Sequence, residues 1–219
     1  MAPLLLTPAE ARVIAALTEK SIATPQYYPM TVNALMLASN QKSCRDPVMQ
    51  LREGDVGAAL LDLAGKGLAA RDDAGSRVPK WRQSFQHHLL LQPPLLAVLL
   101  TLMLRGPQTL SELRSNAAML GGPAGADGID QALADLADRA QPLAVLLPRV
   151  PGQKEARYAH TLCGPPEARP EPAPAAPRAP AAAPAPSALA ELEEKVRALE
   201  ARVAALEGRA PAPQGSPDP

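Results

Sequence analysis

The chain has 219 residues, enough for one or two domains at roughly 100–200 residues each. Its 22 basic and 22 acidic side chains cancel, which excludes a strongly basic, histone-like polyanion binder. Cys44 and Cys163 are the only cysteines, so there is no basis for a disulfide framework or a cysteine metal site.

The opening MAPLLLTPAEAR has neither the basic n-region nor the apolar length of a signal peptide. Thr7-Pro8-Ala9-Glu10 is a capping box with proline at the first helical position, and it predicts a helix to about Thr18. Pro25–Pro29, with Tyr27 and Tyr28, reads either as a rigid connection whose rings cover the core or as a ligand contact. Thr31 caps a short helix ending near Asn40. A polar connection, Gln41–Arg52, leads to a third helix over about Glu53–Lys66, stopped by Gly67. Leu68–Arg71 and Arg77–Gln83 read as strands around the turn Asp72-Asp73-Ala74-Gly75, and Pro79 predicts that its strand lies at a sheet edge.

A second set of elements follows. Pro94–Arg105 is a nearly all-apolar helix and is expected to be buried. Its apolar run, Leu95–Leu104, is about half of the ~20 residues that span a bilayer. Thr109-Leu110-Ser111-Glu112 is another capping box. A glycine-rich break, Gly121–Gly128, precedes a helix over Ile129–Ala140. Leu143–Val150 and Glu155–Leu162 read as strands flanking Pro151-Gly152.

These elements repeat. Ala59-Leu60-Leu61-Asp62-Leu63-Ala64 recurs as Ala132-Leu133-Ala134-Asp135-Leu136-Ala137, an offset of 73. Thr31-Val32-Asn33-Ala34-Leu35 parallels Thr109-Leu110-Ser111-Glu112-Leu113, and Val13-Ile14 with Leu17 parallels Val98-Leu99 with Leu102. Three matches in one order point to duplication. Each copy reads as three helices and then a two-stranded hairpin, the order of a winged helix. The expected fold is therefore mostly α with small β-hairpins, as tandem winged-helix domains over 1–88 and 89–164.

Beyond Gly164 the composition changes. Half of the 26 prolines and none of the five aromatic residues lie there. Residues 165–186 read as an extended Pro/Ala-rich linker. Ser187 then caps a short C-terminal coiled-coil helix over 187–208, and 209–219 reads as a disordered tail. Leu189, Leu192, Val196, Leu199, Val203 and Leu206 alternate spacings of 3 and 4, a heptad seam with leucine at every d position, which predicts a parallel homodimer.

Longer motifs carry a resemblance. Thr24-Pro25-Gln26-Tyr27-Tyr28-Pro29-Met30-Thr31-Val32-Asn33-Ala34-Leu35, Asn40-Gln41-Lys42-Ser43 and Arg45-Asp46-Pro47-Val48-Met49 stand in the first copy. Leu104-Arg105-Gly106-Pro107-Gln108-Thr109 and Pro148-Arg149-Val150-Pro151-Gly152-Gln153-Lys154-Glu155-Ala156-Arg157-Tyr158 stand in the second. Together they resemble the YceH-like family of uncharacterised bacterial proteins over roughly residues 4–164. The resemblance implies tandem winged-helix domains and no established biochemical activity. This chain departs from the family pattern at Ser39 (usually cysteine), Ser111 (usually glycine) and Asn116 (usually basic). The last change weakens the case for polyanion binding by the second copy.

Two functional readings stand side by side. In the first, duplex DNA is held weakly and with little base readout by a nucleic-acid-binding set in the first copy: Lys42, Arg45 and Arg52 in the polar connection, and Arg77, Lys80 and Arg82 in the wing with Trp81. In the second, both copies are protein-interaction modules of an adaptor. The third helices favour this, because they carry Glu53, Asp55 and Asp62, and Asp127, Asp130, Asp135 and Asp138, which would repel phosphates. A contiguous positive surface supports the first reading. Dispersal of those cations, or neutralisation by Asp46, Asp72 and Asp73, supports the second. His87-His88 has no nearby third ligand for a metal, and Asp72-Asp73 is a turn before it is a catalytic dyad. No phosphate loop, nucleophile elbow or metalloprotease helix occurs, so a non-enzymatic, cofactor-free, cytoplasmic protein without a membrane segment is expected.

Overall fold

The computed structural model describes residues 3–72, 78–149, 153–166 and 197–203. It is mostly helical, with two small antiparallel sheets.

Helix α1 (Pro8–Ala23) starts at the capping box. The Thr7 hydroxyl accepts from the Glu10 N–H (3.2 Å) and the Glu10 carboxylate accepts from the Thr7 N–H (2.7 Å). The helix runs past the expected Thr18 and stops at Thr24, because the residue before Pro25 is pushed out of the α region. Strand β1 (Met30–Thr31) leads into α2 (Val32–Ser39), whose Ala34 N–H is capped by the Thr31 hydroxyl (3.2 Å). Helix α3 (Glu53–Gly65) ends at Gly67, whose φ of +73° turns the chain into β2 (Ala69–Asp72). Strand β3 (Lys80–Gln83) pairs with both β1 and β2, giving the order β1-β3-β2. The expectation from Pro79 is therefore wrong. The strand after it is central, and Pro79 stands just before the ladder, where no N–H is needed.

A short helix α4 (Phe85–His88) precedes α5 (Pro93–Arg105), which is buried without a break from Leu96 to Leu104. Helix α6 (Leu110–Ala117) carries the second capping box on Thr109 and Glu112. Helix α7 (Gly125–Ala137) begins inside the glycine-rich stretch and ends before the expected Ala140. Asp127 in its first turn favours that early start by facing the positive end of the helix dipole. Strands β4 (Ala144–Leu146) and β5 (Tyr158–His160) are shorter than expected. The turn residues Asp73–Gly75, Pro151 and Gly152 lie outside the described residues.

The internal repeat extends to the backbone hydrogen bonds. The Leu68 N–H donates to Leu63 O and the Leu143 N–H to Leu136 O, each at 2.9 Å. The Ser84 N–H donates to Leu68 O (2.8 Å), as the Thr161 N–H does to Leu143 O (3.1 Å). Met30, one residue before the Thr31 cap, pairs with Trp81. Gln108, one residue before the Thr109 cap, pairs in the same way with Tyr158. Each hairpin is thus tied to the residue that starts its copy's second helix.

Residues 1–170 form one compact unit with a single buried apolar cluster. Helix α1 packs on α2, α3 and also α5, so Val13, Ile14 and Leu17 share that cluster with Leu99, Leu133 and Leu136. Residues 171–219 form a second unit, in which 197–203 are helical. Leu199 and Val203 of the predicted seam are exposed on that helix; Leu189, Leu192, Val196 and Leu206 lie outside the described residues.

Candidate functional site

Of the six cations proposed from sequence to hold phosphate, Arg45, Arg52 and Arg82 are paired with carboxylates. Arg45 is the clearest correction, since it is 5 % exposed. Its guanidinium donates to both carboxylate oxygens of Glu19 (3.1 and 2.6 Å) and to Ala38 O (3.3 and 3.0 Å). A cation satisfied this way inside the fold cannot reach a ligand. Arg52 forms an ion pair with Asp55 at 3.2 Å, and Arg82 forms one with Asp72. Arg77 lies outside the described residues. Lys42 is exposed and Lys80 half-buried, and neither makes an ion pair among the described residues.

The outward face of α3 is apolar and acidic instead. Glu53, Gly54, Ala58, Leu61, Asp62 and Gly65 are exposed, with Leu61 at 66 %. Lys66, at the end of α3, turns back to Glu10 at 2.5 Å. Burial raises the Glu10 pKa, but Lys66 and the Thr7 N–H outweigh it and hold the carboxyl below its usual value. On the second copy, Asp127, Asp130, Asp135 and Asp138 are all exposed, and Arg139 donates to Leu89 O rather than to any of them.

The aromatic residues divide. Trp81 is buried in the core, and the partly buried Tyr28 packs against it while accepting a hydrogen bond from the Gln83 N–H (2.6 Å). Burial pushes the Tyr28 phenol above its usual pKa. Tyr27 is 74 % exposed, so its ring does not cover the core. His87 and His88 are exposed, and no group of three or more metal-ligating side chains comes together among the described residues.

Sequence reasoning missed the groups that shape the polar connection 41–52. Arg12 is 2 % exposed and donates to Ser39 O (3.3 Å) and Pro47 O (2.8 Å). Burial and the neighbouring Arg45 hold its pKa below the ordinary guanidinium value. Asn40 brackets Leu51, donating to its carbonyl and accepting from its N–H, each at 2.8 Å. Finally, the Asp46 N–H donates to Leu104 O (2.8 Å), which docks the connection of the first copy on the end of α5 in the second. One signal was present in the sequence. Arg12 interrupts an otherwise apolar stretch, Ala11 to Leu17, on a helix whose Glu10–Thr18 stretch is buried all round. A charge there must be internally partnered.

Residues 6–153 match a family model described as "Protein of unknown function, DUF480". The chain belongs to that family. It is the YceH-like family that the motifs resemble, also called UPF0502. A UPF0502 protein of Geobacter metallireducens is 48 % identical over 166 residues, 76 % of either chain. One from Chromobacterium violaceum is 46 % identical over 169 residues, 77 % of either chain. The match over residues 6–153 takes in the connection 41–52, its anchors and most of both copies, ending before β5. No helix among the described residues is long and apolar enough to cross a membrane.

Proposed function

We propose that this YceH-like chain is a non-enzymatic, cytoplasmic adaptor built from tandem winged-helix domains. The order of three helices and a hairpin in each copy, with the hairpin tied to the start of the second helix, supports the winged-helix reading. The observation that carries the adaptor reading is the internal pairing of Arg45 with Glu19, Arg52 with Asp55 and Arg82 with Asp72. Each pair leaves fewer cations for phosphates. A helix-turn-helix that reads bases would place α3 and α7 in the groove, yet their exposed faces are apolar or acidic. Such faces suit protein partners, because a binding surface is apolar at its centre and excludes like charges.

Titration of the full-length protein against random duplexes at two salt concentrations tests this. No saturable binding is expected, even at low salt. Micromolar binding that falls steeply with salt and weakens when Arg77, Lys80 and Arg82 are neutralised together would replace the adaptor with a phosphate-gripping protein.

The adaptor is proposed to be a parallel homodimer through the 187–208 seam. A lone helix of that length is marginal in water, and pairing would bury the seam of leucine and valine. Lys195 and Arg202 at g would meet Glu200 and Glu207 at e of the partner, selecting orientation more than supplying affinity. Sedimentation of the full chain should give a dimer at tens of micromolar, and a chain ending at Gly164 a monomer. A monomeric full chain, or an equally dimeric truncated one, would remove the seam as the dimerising element.

A further inference from the structure

The region where the two copies meet holds a cleft that neither functional reading uses. One part, of about 200 Å³, is lined by the buried Leu104 and Leu120, by the exposed Met119 at its rim, and by Lys20 of α1. An adjoining polar part, of about 280 Å³, lies among Asp46, Gln108, Glu112 and Arg157. Cys44, Arg105 and Asn116 line both parts and form their junction.

The walls are held in place without any ligand. Arg45 is locked on Glu19 and Ala38 O, as described above. Gln108, 4 % exposed, donates to Thr101 O (3.1 Å) and accepts from Asn116 Nδ2 (2.7 Å). Arg157 donates to Pro107 O (3.2 Å) and to Glu112 (2.8 Å). Arg105, half-buried at the end of α5, differs: its guanidinium makes no hydrogen bond or ion pair among the described residues. The charges point the same way. Lys20, Arg45, Arg105 and Arg157 stand against Glu19, Asp46 and Glu112, which leaves one positive charge in excess.

We propose that this cleft binds a small monoanionic carboxylate with a short apolar tail. The carboxylate would fork onto the guanidinium of Arg105, and the tail would lie over Leu104, Met119 and Leu120. A planar fork of N–H donors suits a carboxylate, and rigid walls cost little ordering on binding. Inorganic phosphate, mostly dianionic at neutral pH, fits worse because Asp46 and Glu112 share the polar part. The site is independent of whether the α3 and α7 faces take protein or DNA.

The test uses the full chain with hexanoate, hexanol and inorganic phosphate as probes, followed by calorimetry and by thiol labelling of Cys44 in a Cys163→Ser background. Hexanoate is expected to bind saturably, to slow labelling of the exposed Cys44, and to bind about tenfold more weakly to Arg105→Gln, the loss of one charge-assisted contact. Arg114→Gln, at an exposed arginine on α6, should leave binding unchanged. If Arg105→Gln fails to fold, Arg105→Lys replaces it and is expected to weaken binding by removing the fork. The proposal is overturned if hexanoate shows no saturation, if hexanol binds equally well, if the Arg105 variants bind like the parent, or if phosphate binds as tightly as hexanoate.

Discussion

Replacing Leu63 or Leu136 by alanine is expected to lower unfolding free energy by roughly 2–5 kcal/mol, the usual cost of deleting a fully buried leucine side chain. Both side chains have no exposed surface, and both carbonyls accept the hydrogen bond that turns the chain towards its hairpin. Leu110→Ala should cost less, because Leu110 is only partly buried just after the Thr109 cap. Chemical denaturation of the three variants checks the ranking. Unequal costs at Leu63 and Leu136 would contradict their equivalence, and a cost at Leu110 as large as theirs would contradict the ranking. Both leucines sit in one cluster, so the full-length protein and each variant should lose residues 1–166 in a single transition.

Acid is the second large lever, through His160. Burial holds this imidazole at a pKa of about 4, and its Nδ1 has no hydrogen-bond partner. In the unfolded chain the same ring titrates near 6.5. As pH falls, the unfolded state therefore takes up the proton first. Stability is full above about pH 6.5 and declines by about 3 kcal/mol by pH 4. Glu10 acts in a different window. Its carboxyl is held below the usual value, so its contribution is lost at more acid pH, as pH falls through the folded-state pKa. Denaturant midpoints at several pH values should show the His160 slope between 6.5 and 4 in the parent chain and a flatter curve in His160→Gln. An unchanged slope in the variant would mean that another group carries the acid sensitivity.

Local features of the fold were legible in the sequence, and long-range ones were not. Thr7, Thr31 and Thr109 cap helices as read, because a capping box involves only the next few residues. The order of helices and hairpins was also legible from apolar periodicity. The fate of Arg45 was not, because it is decided by Glu19, 26 residues earlier on α1. In isolation the basic residues of the polar connection look like a phosphate grip. Folded, one is an internal strut and another is paired on its own helix turn. Pro79 misled for a related reason: its effect depends on whether it falls inside the ladder, and the ladder begins one residue later. Arg105 carried no local signal at all, since its lack of a partner emerges only where the two copies meet.

Helix α5 has a consequence for how such a protein can change over evolutionary time. Duplicated modules are commonly shuffled, deleted or transplanted as cassettes. Here the second copy's first helix is enclosed from Leu96 to Leu104 and packs directly on α1 of the first. Excising either copy would bare a continuous oily surface on the one left behind, an invitation to clumping and to proteolytic clearance. The pair is thus inherited as an indivisible block.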